Sequence, residues 1–406
     1  MFGNTPLVMV EDQASLEAMV EKLREAPVIG VDTESDSFHS FQEKVCLIQI
    51  SDLQADYIVD PLSVDDMSPL AECLANPEQV KILHGADYDI VCMKRDYGFE
   101  FKNIFDTMIS AQFLGFDKLG LADLIKKFFG HHIDKQYQRH DWSKRPLLQE
   151  HLDYARGDTH WLPALREVLT IQLERAQRLE AVLEECEIVQ GREWGGRSDH
   201  ESDFLRVKRS GTLDPEGKRV LRAVWEYRNG KAREANRPPF KLLPDHFLIE
   251  LAQRKPQDAD QLQAMARKGS SMIRRHGDSL LKAVHAGLAD TRPIPKPQER
   301  KRQRTPRNGP GIDRYLGPLK EWRNQRVAKY SISPVAVANN ALLKEIARQA
   351  PTNHEELAAV NGIRKWQLAD FADEILAVIG SVPAGSTDPD RPKRRRRRKP
   401  KSTSQD

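Results

Sequence analysis

Three short runs of β-favouring residues sit close together near the N-terminus: PVIGVD (27–32), VCLIQIS (45–51) and ADYIVD (55–60). Their connections are tight, and tightly joined strands of this kind pair as an antiparallel meander. The pattern then changes period. SLEAMVEKLREA (15–26) and MSPLAECLAN have helical spacing, VKILHG (80–85) reads as a further strand, and DIVCMKRDYG as a helix closed by Gly98. NIFDTMISAQFLG and GLADLIKKFFG follow, and one helix is predicted through EHLDYARGDTHWLPALREVL. Three antiparallel strands followed by strands alternating with helices describe an α/β domain over residues 1–170, a mixed sheet flanked by helices.

Beyond that domain the periodicity is helical. QLERAQRLEAVLEECEIV reads as one long connecting helix, and residues 215–290 and 311–380 as two all-α segments. They contain a repeat. LIELAQRKP (248–256) matches LKEIARQAP (343–351) at an offset of 95, both fitting L-x-E-[LI]-A-x-x-x-P. At the same offset Leu262 matches Leu357, and Trp225 and Trp322 lead each unit at nearly the same distance. The aligned Leu and Trp make duplication the better explanation than chance.

At 406 residues, two or three domains are expected. A hydrophobic content of 39% suffices for real cores, and 30% charged residues suits a soluble protein. No stretch approaches the ~18 apolar residues a membrane span requires. The opening MFGNTPLVMVEDQ has no basic region followed by an apolar one, so no secretory signal is expected. Cys46, Cys73, Cys92 and Cys186 include no C-x-x-C pair, which argues against a zinc ribbon or a disulfide framework and fits a reducing cytoplasm.

The net charge of +3 conceals a split. Residues 391–406 carry +8 and residues 291–310 carry +6, so the remainder carries −11. The folded parts are acidic, and the positive charge lies in a Pro/Arg-rich linker (291–310) and a basic tail (381–406) that are expected to be disordered. Basic blocks of this kind favour nucleic acid, with a plain solubility tail as the alternative.

Three acidic pieces bear on chemistry. In VIGVDTES, Asp32 and Glu34 are i and i+2 near the end of an apolar strand and so share a face. Two such carboxylates repel, and a hard divalent cation is the simplest compensation, unless both are merely solvated. In KILHGADYDIVCMKRDYG a strand ends near Gly85 and a helix begins near Asp87; Asp87 or Asp89 also suits an ordinary helix start, and His84 an ordinary core position. In DYARGDTHWL, Tyr154 and Asp158 are i and i+4 on one helix face.

Taken in order, these pieces resemble the ribonuclease D family, 3′–5′ exonucleases of the DEDD superfamily, tyrosine subclass. The first motif matches Asp32 and Glu34; the second, H-x-x-x-x-D, matches His84 with Asp89; the third, Y-x-x-x-D, matches Tyr154 and Asp158. FDT (105–107), LADLIKKFFG (121–130) and DWSKRPL (141–147) also look like the family. WEYRNGKAREANRPPFKLLPDHFLIELAQRKP (225–256) resembles an HRDC module, a small helical nucleic-acid-binding domain. The repeat at 322–380 resembles a second, divergent one with KYSISPVAVANN in place of NRPPFKLLPD.

The resemblance implies a ribonuclease H-like catalytic domain (1–170), a connecting helix (171–214), a first HRDC domain (215–290), the linker (291–310), a second HRDC domain (311–380) and the tail. It implies that Asp32, Glu34, Asp89 and Asp158 hold two divalent ions, Mg²⁺ with Mn²⁺ able to substitute, and that Asp32 bridges them. Tyr154, with a reference pKa of ~10, is expected to orient the attacking water rather than to act as a base. His84, Tyr137 and Trp142 are candidate substrate contacts. The expected function is a monomeric, cytoplasmic 3′–5′ exoribonuclease that releases 5′-phosphomononucleotides from the 3′ ends of tRNA precursors and other structured RNAs. A DNA exonuclease and a non-catalytic RNA-binding scaffold are the alternatives. No G-x-x-x-x-G-K-[ST] occurs, so no helicase P-loop accompanies the HRDC modules.

Overall fold

The computed structural model describes residues 2–3, 5–196, 200–265, 271–296 and 312–382. The chain falls into two compact units, residues 1–307 with 326–337 and residues 308–325 with 338–406. Residues 297–310 of the linker and 383–406 of the tail lie outside the described residues.

The first unit is built on a six-stranded sheet of order β1-β4-β3-β2-β5-β6. β2 (Val28–Ser35), β3 (Val45–Ser51) and β4 (Asp56–Val59) form the expected antiparallel meander. β5 (Val80–Leu83) and β6 (Ile104–Asp106) extend it in parallel on the β2 side. Sequence periodicity misses β1 (Leu7–Val10), whose four residues LVMV pair in parallel with β4. All seven residues of β3 are buried, as a central strand with both faces covered requires.

Helices α1 (Gln13–Leu23), α2 (Pro69–Ala75), α3 (Asp87–Tyr97), α4 (Thr107–Phe113), α5 (Leu121–Phe129), α6 (Gln149–His160), α7 (Leu162–Arg175) and α8 (Leu179–Gln190) accompany the sheet. α3 ends at Gly98, whose φ of 69° closes the helix as expected.

Two predicted continuous helices are each broken. The helix through 150–169 is interrupted at Trp161, because Pro163 has no N–H for the carbonyl of Thr159. α6 packs on β2, β3 and β4, and α7 on β2 and β5. The long connecting helix breaks at residues 176–178, where Gln177 takes a φ of 56°. α8 then packs back on β6, where the Cys186 sulfur accepts the Asp106 N–H at 3.3 Å. All four cysteines are buried and unpaired.

The rest of this unit carries α9 (Pro215–Glu234), α10 (Pro239–Leu242), α11 (Asp245–Arg254), α12 (Ala259–Ala264) and α13 (Ser271–Ala289). Val220, Leu221, Val224, Leu248, Leu251, Leu262, Leu280 and Val284 form its helical core. The later elements are α14 (Ile312–Tyr330), α15 (Pro334–Val337), α16 (Asn340–Gln349), α17 (His354–Ala358) and α18 (Lys365–Ser381). In the second unit Trp322 meets Phe371 edge to face at 5.5 Å and donates to Glu374 at 2.7 Å. No described helix is long and apolar enough to cross a membrane.

The sequence repeat is a structural repeat. α11 and α16 both end on a left-handed residue, Lys255 (φ 51°) and Ala350 (φ 46°), each followed by a buried proline. Asp258 and Asn353 then cap α12 and α17 by accepting the N–H groups of Gln261 and Glu356. Leu262 and Leu357 are both buried.

One contact ties the sheet to the helices that follow it. A Cβ on Gly30 of β2 would lie 3.0 Å from Leu162 Cβ and 3.0 Å from the Thr159 carbonyl oxygen. Gly30→Val is expected to push the α6–α7 corner outward, lowering stability by about 1–3 kcal/mol, the usual range for overpacking. Thermal melts of the variant against the parent check this; an unchanged melting temperature would show that the corner does not rest on the strand.

Candidate active site

Four acidic side chains reach one end of the sheet from three elements. Asp32 and Glu34 sit at the C-terminal end of β2, where the pairing with β3 slips between Glu34 and Ser35. Asp89 lies in the first turn of α3, favoured there by the helix dipole. Asp158 comes from the last turn of α6, with Tyr154 one turn earlier on the same face.

Local interactions hold each element in place. α6 is clamped to β4: Arg156 donates to the buried Asp56, and His160 Nδ1 lies 2.9 Å from the same carboxylate. Ser51 Oγ bridges this group to the helix, 2.6 Å from Asp56 and 2.7 Å from the Thr159 hydroxyl. The β5–α3 turn is held by Asp106, which accepts the N–H groups of Gly85 (3.1 Å) and Ala86 (2.8 Å) while also capping α4. Thr33, between the two β2 acids, donates to Asp89 Oδ1 at 2.5 Å and so joins α3 to β2 directly.

One oxygen each from Asp32, Glu34 and Asp158 lies within 4.8 Å of the other two. Asp89 stands outside this triangle, yet after burial its charge has the largest influence on Asp32. The electrostatics are those of like charges packed without compensation. Burial, then Asp89, Asp158 and Glu34, push Asp32 well above the usual carboxylate range. Burial, then Asp158 and Asp89, do the same to Glu34. Burial raises Asp89 to about 6 against the opposing Thr33 hydrogen bond. Burial and the charge of Asp89 raise Asp158 to about 7. Tyr154 is pushed above an ordinary phenol by burial and then by Asp158, Glu34 and Asp32, so its hydroxyl keeps its proton at neutral pH.

An all-oxygen set of four carboxylates, held together although each resists ionising beside the others, fits hard divalent cations rather than soft metals. Asp32, Glu34 and Asp158 border a cleft of about 320 Å³; Asp89 is not among its lining residues. His84 lines it, as does Tyr154. Trp142 does not: it is 1% exposed, its ring 5.8 Å from that of Tyr154 and tilted by 33°. Tyr137 packs edge to face on Tyr154 at 6.0 Å, also outside the cleft lining. Trp142 is buried against the Tyr154 ring and offers no stacking surface, whereas Tyr137 is half-exposed beside it.

Sequence reading missed the rest of the lining, Gly120, Leu121, Ala122, Ile133, Asp134, Lys135 and Gln138. Several come from the irregular segment after α5, where no periodicity marks which residues turn inward. Lys135 is the one lysine or arginine among the described lining residues.

The pH dependence has a definite sign. These folded-state values lie above the ~4 of an unfolded carboxyl, so the folded protein binds more protons. Without cations, stability from these groups therefore falls as pH rises from about 4 through about 7. A divalent ion competes with those protons. The rise in melting temperature on adding Mg²⁺ is expected to be larger near pH ~8 than near pH ~5.5, and to shrink in Asp158→Asn. Equal shifts at both pH values would place the ion elsewhere.

Comparison with known proteins matches both parts of the chain to known domains. Residues 7–174 match the family described as 3′–5′ exonuclease, and residues 217–284 and 314–379 each match the HRDC domain. The chain is 32% identical over 306 residues to the exosome complex component 10 homolog of Drosophila melanogaster, covering 73% of this chain and 34% of that one. It thus spans about a third of the length of its exosome-component relatives. It is 29% identical over 369 residues to the ribonuclease D of Desulfotalea psychrophila, covering 89% of this chain and 96% of that one. The crystal structure of Escherichia coli RNase D shares the fold with a TM-score of 0.66 at 24% identity, over 93% of this chain and 100% of that one.

Proposed function

We propose that this chain, which carries a 3′–5′ exonuclease domain and two HRDC domains, is a metal-dependent 3′–5′ exoribonuclease. Its proposed substrates are the 3′ ends of tRNA precursors and other structured RNAs. The observation that carries the reading is the convergence of Asp32, Glu34 and Asp158 within 4.8 Å, with Asp89 tied to Thr33 beside them. The substrate class draws on the E. coli relative, which is described as an exoribonuclease involved in structured RNA processing.

Asp32, Glu34, Asp89 and Asp158 would hold two divalent ions. Such a pair, when bound, supplies water activation, neutralisation of the phosphate charge and stabilisation of the leaving 3′-oxygen. The protein's own groups do the remaining work. The four carboxylates would offset the positive charge of the ions and hold them at the end of β2. The Tyr154 hydroxyl, protonated at neutral pH, orients the attacking water by hydrogen bonding. Trp142 and Tyr137 pack on the Tyr154 ring and restrict its rotation. Lys135, at the cleft wall, balances phosphate charge not met by the ions.

Asp32→Asn is expected to abolish turnover while leaving RNA binding measurable. Tyr154→Phe is expected to lose about 10²–10⁴ in rate, the scale of a positioned proton-handling group. Purified protein incubated with a tRNA bearing a 3′ extension, with Mg²⁺ or with chelator, and sizing of the products, decides the matter. Shortening one nucleotide at a time with Mg²⁺ alone supports the reading; near-parental turnover by Asp32→Asn would refute the assignment of the ions.

A folded body this acidic is poorly suited to long RNA. The basic tail and linker are proposed to supply the missing attraction through phosphate contacts. Removing residues 391–406 should weaken RNA binding and flatten its dependence on salt. An unaltered salt slope in a filter-binding titration rules the tail out as a phosphate contact.

A further inference from the structure

The hydrogen-bonding state of His84 can be read from its surroundings. It follows the last residue of β5, and the parallel register pairing Gly30 with Ile82, continued two residues, sets it level with Asp32 on the neighbouring strand. Its side chain lines the cleft beside Asp32, Glu34 and Asp158.

One ring nitrogen is committed. Nδ1 lies 2.9 Å from Thr107 Oγ1, and the same hydroxyl donates to the Leu83 carbonyl oxygen at 3.1 Å. A threonine hydroxyl has a single proton. If that proton pointed at Nδ1, Oγ1 would face the Leu83 carbonyl as acceptor against acceptor, around a Thr107 that is fully buried. With the proton on the carbonyl, Oγ1 can only accept, and Nδ1 must donate. A neutral imidazole has one N–H, and burial favours the neutral ring here. Nε2 is then a bare lone pair on the far side of the ring from Thr107, with no hydrogen bond to any described residue.

The carboxylates around it are suited to cations; a neutral acceptor suits a neutral donor. Base N–H groups differ among the four nucleotides, so a nuclease that trims through every base cannot depend on them. Sugar hydroxyls are common to all, and only the 2′-hydroxyl separates RNA from DNA. We propose that His84 Nε2 accepts a hydrogen bond from the 2′-hydroxyl of the 3′-terminal nucleotide, making His84 the residue that selects ribose. Thr107 is its positioning residue, because it fixes the tautomer. This rests on the exoribonuclease reading above.

The test uses one RNA sequence with three ends, terminating in ribose, 2′-deoxyribose or 3′-deoxyribose, and the full chain as parent, His84→Phe and Thr107→Val. The parent should remove the ribose-ended nucleotide about five- to tenfold faster in kcat/KM than the 2′-deoxy-ended one, the worth of one neutral hydrogen bond. In His84→Phe that ratio should fall to about one, and in Thr107→Val to an intermediate value. The ratio is internal to each protein, so a general loss of activity does not mimic the result. Parental discrimination in both variants overturns the proposal, as does a His84→Phe effect confined to the 3′-deoxy end. Parent protein that removes nothing from any end in Mg²⁺ defeats the exonuclease reading itself, an outcome distinct from active variants that still discriminate.

Discussion

Carboxylates that repel one another are concentrated at one end of the sheet, and much of the first unit serves to keep them there. Two unit charges about 5 Å apart repel by about 3 kcal/mol at an effective dielectric constant near 20. Asp32, Glu34 and Asp158 are within that range of one another. The cluster therefore either retains protons, as the raised Asp89 and Asp158 values indicate, or is matched by cations. In the first case the local energy is unfavourable and the surrounding packing must outweigh it; in the second the ions themselves supply the compensation.

The supports of this cluster are buried, hydrogen-bonded and specific in direction. The Asp56–Arg156–His160 group, with Ser51 and Thr159, fixes α6 against the sheet. A buried ion pair of this kind contributes little net stability compared with apolar packing. Its value here is geometric, since a small rotation of α6 would move Tyr154 and Asp158 together. Asp106 does the same for the β5–α3 turn, where one carboxylate receives N–H groups from both sides. Pro163 completes the arrangement by ending α6 soon after Asp158 has been delivered.

The helical modules follow a different logic. Each repeat closes its second long helix with a left-handed residue, a proline and a capped short helix, a local solution encoded by the aligned residues themselves. The charge is segregated along the sequence: the most basic stretches lie at 291–310 and 391–406, and the remainder of the chain is acidic.

What was legible from the residues was whatever depends on neighbours in the chain. Alternation and tight connections specified the β2–β3–β4 meander; Gly98 specified the end of α3; the offset of 95 specified the duplication. The i,i+2 and i,i+4 spacings placed Asp32 with Glu34 and Tyr154 with Asp158, because backbone period alone decides which side chains share a face. The short edge strand β1 has too few residues to show a period, and the break at Gln177 carries no glycine or proline to announce it. Whether Trp142 and Tyr137 face the cleft or support Tyr154, that Lys135 turns inward from an irregular segment, and which nitrogen of His84 holds the proton depend on contacts between residues far apart in sequence. Only the tertiary structure could decide these, since local spacing sets direction relative to the backbone but not what stands opposite.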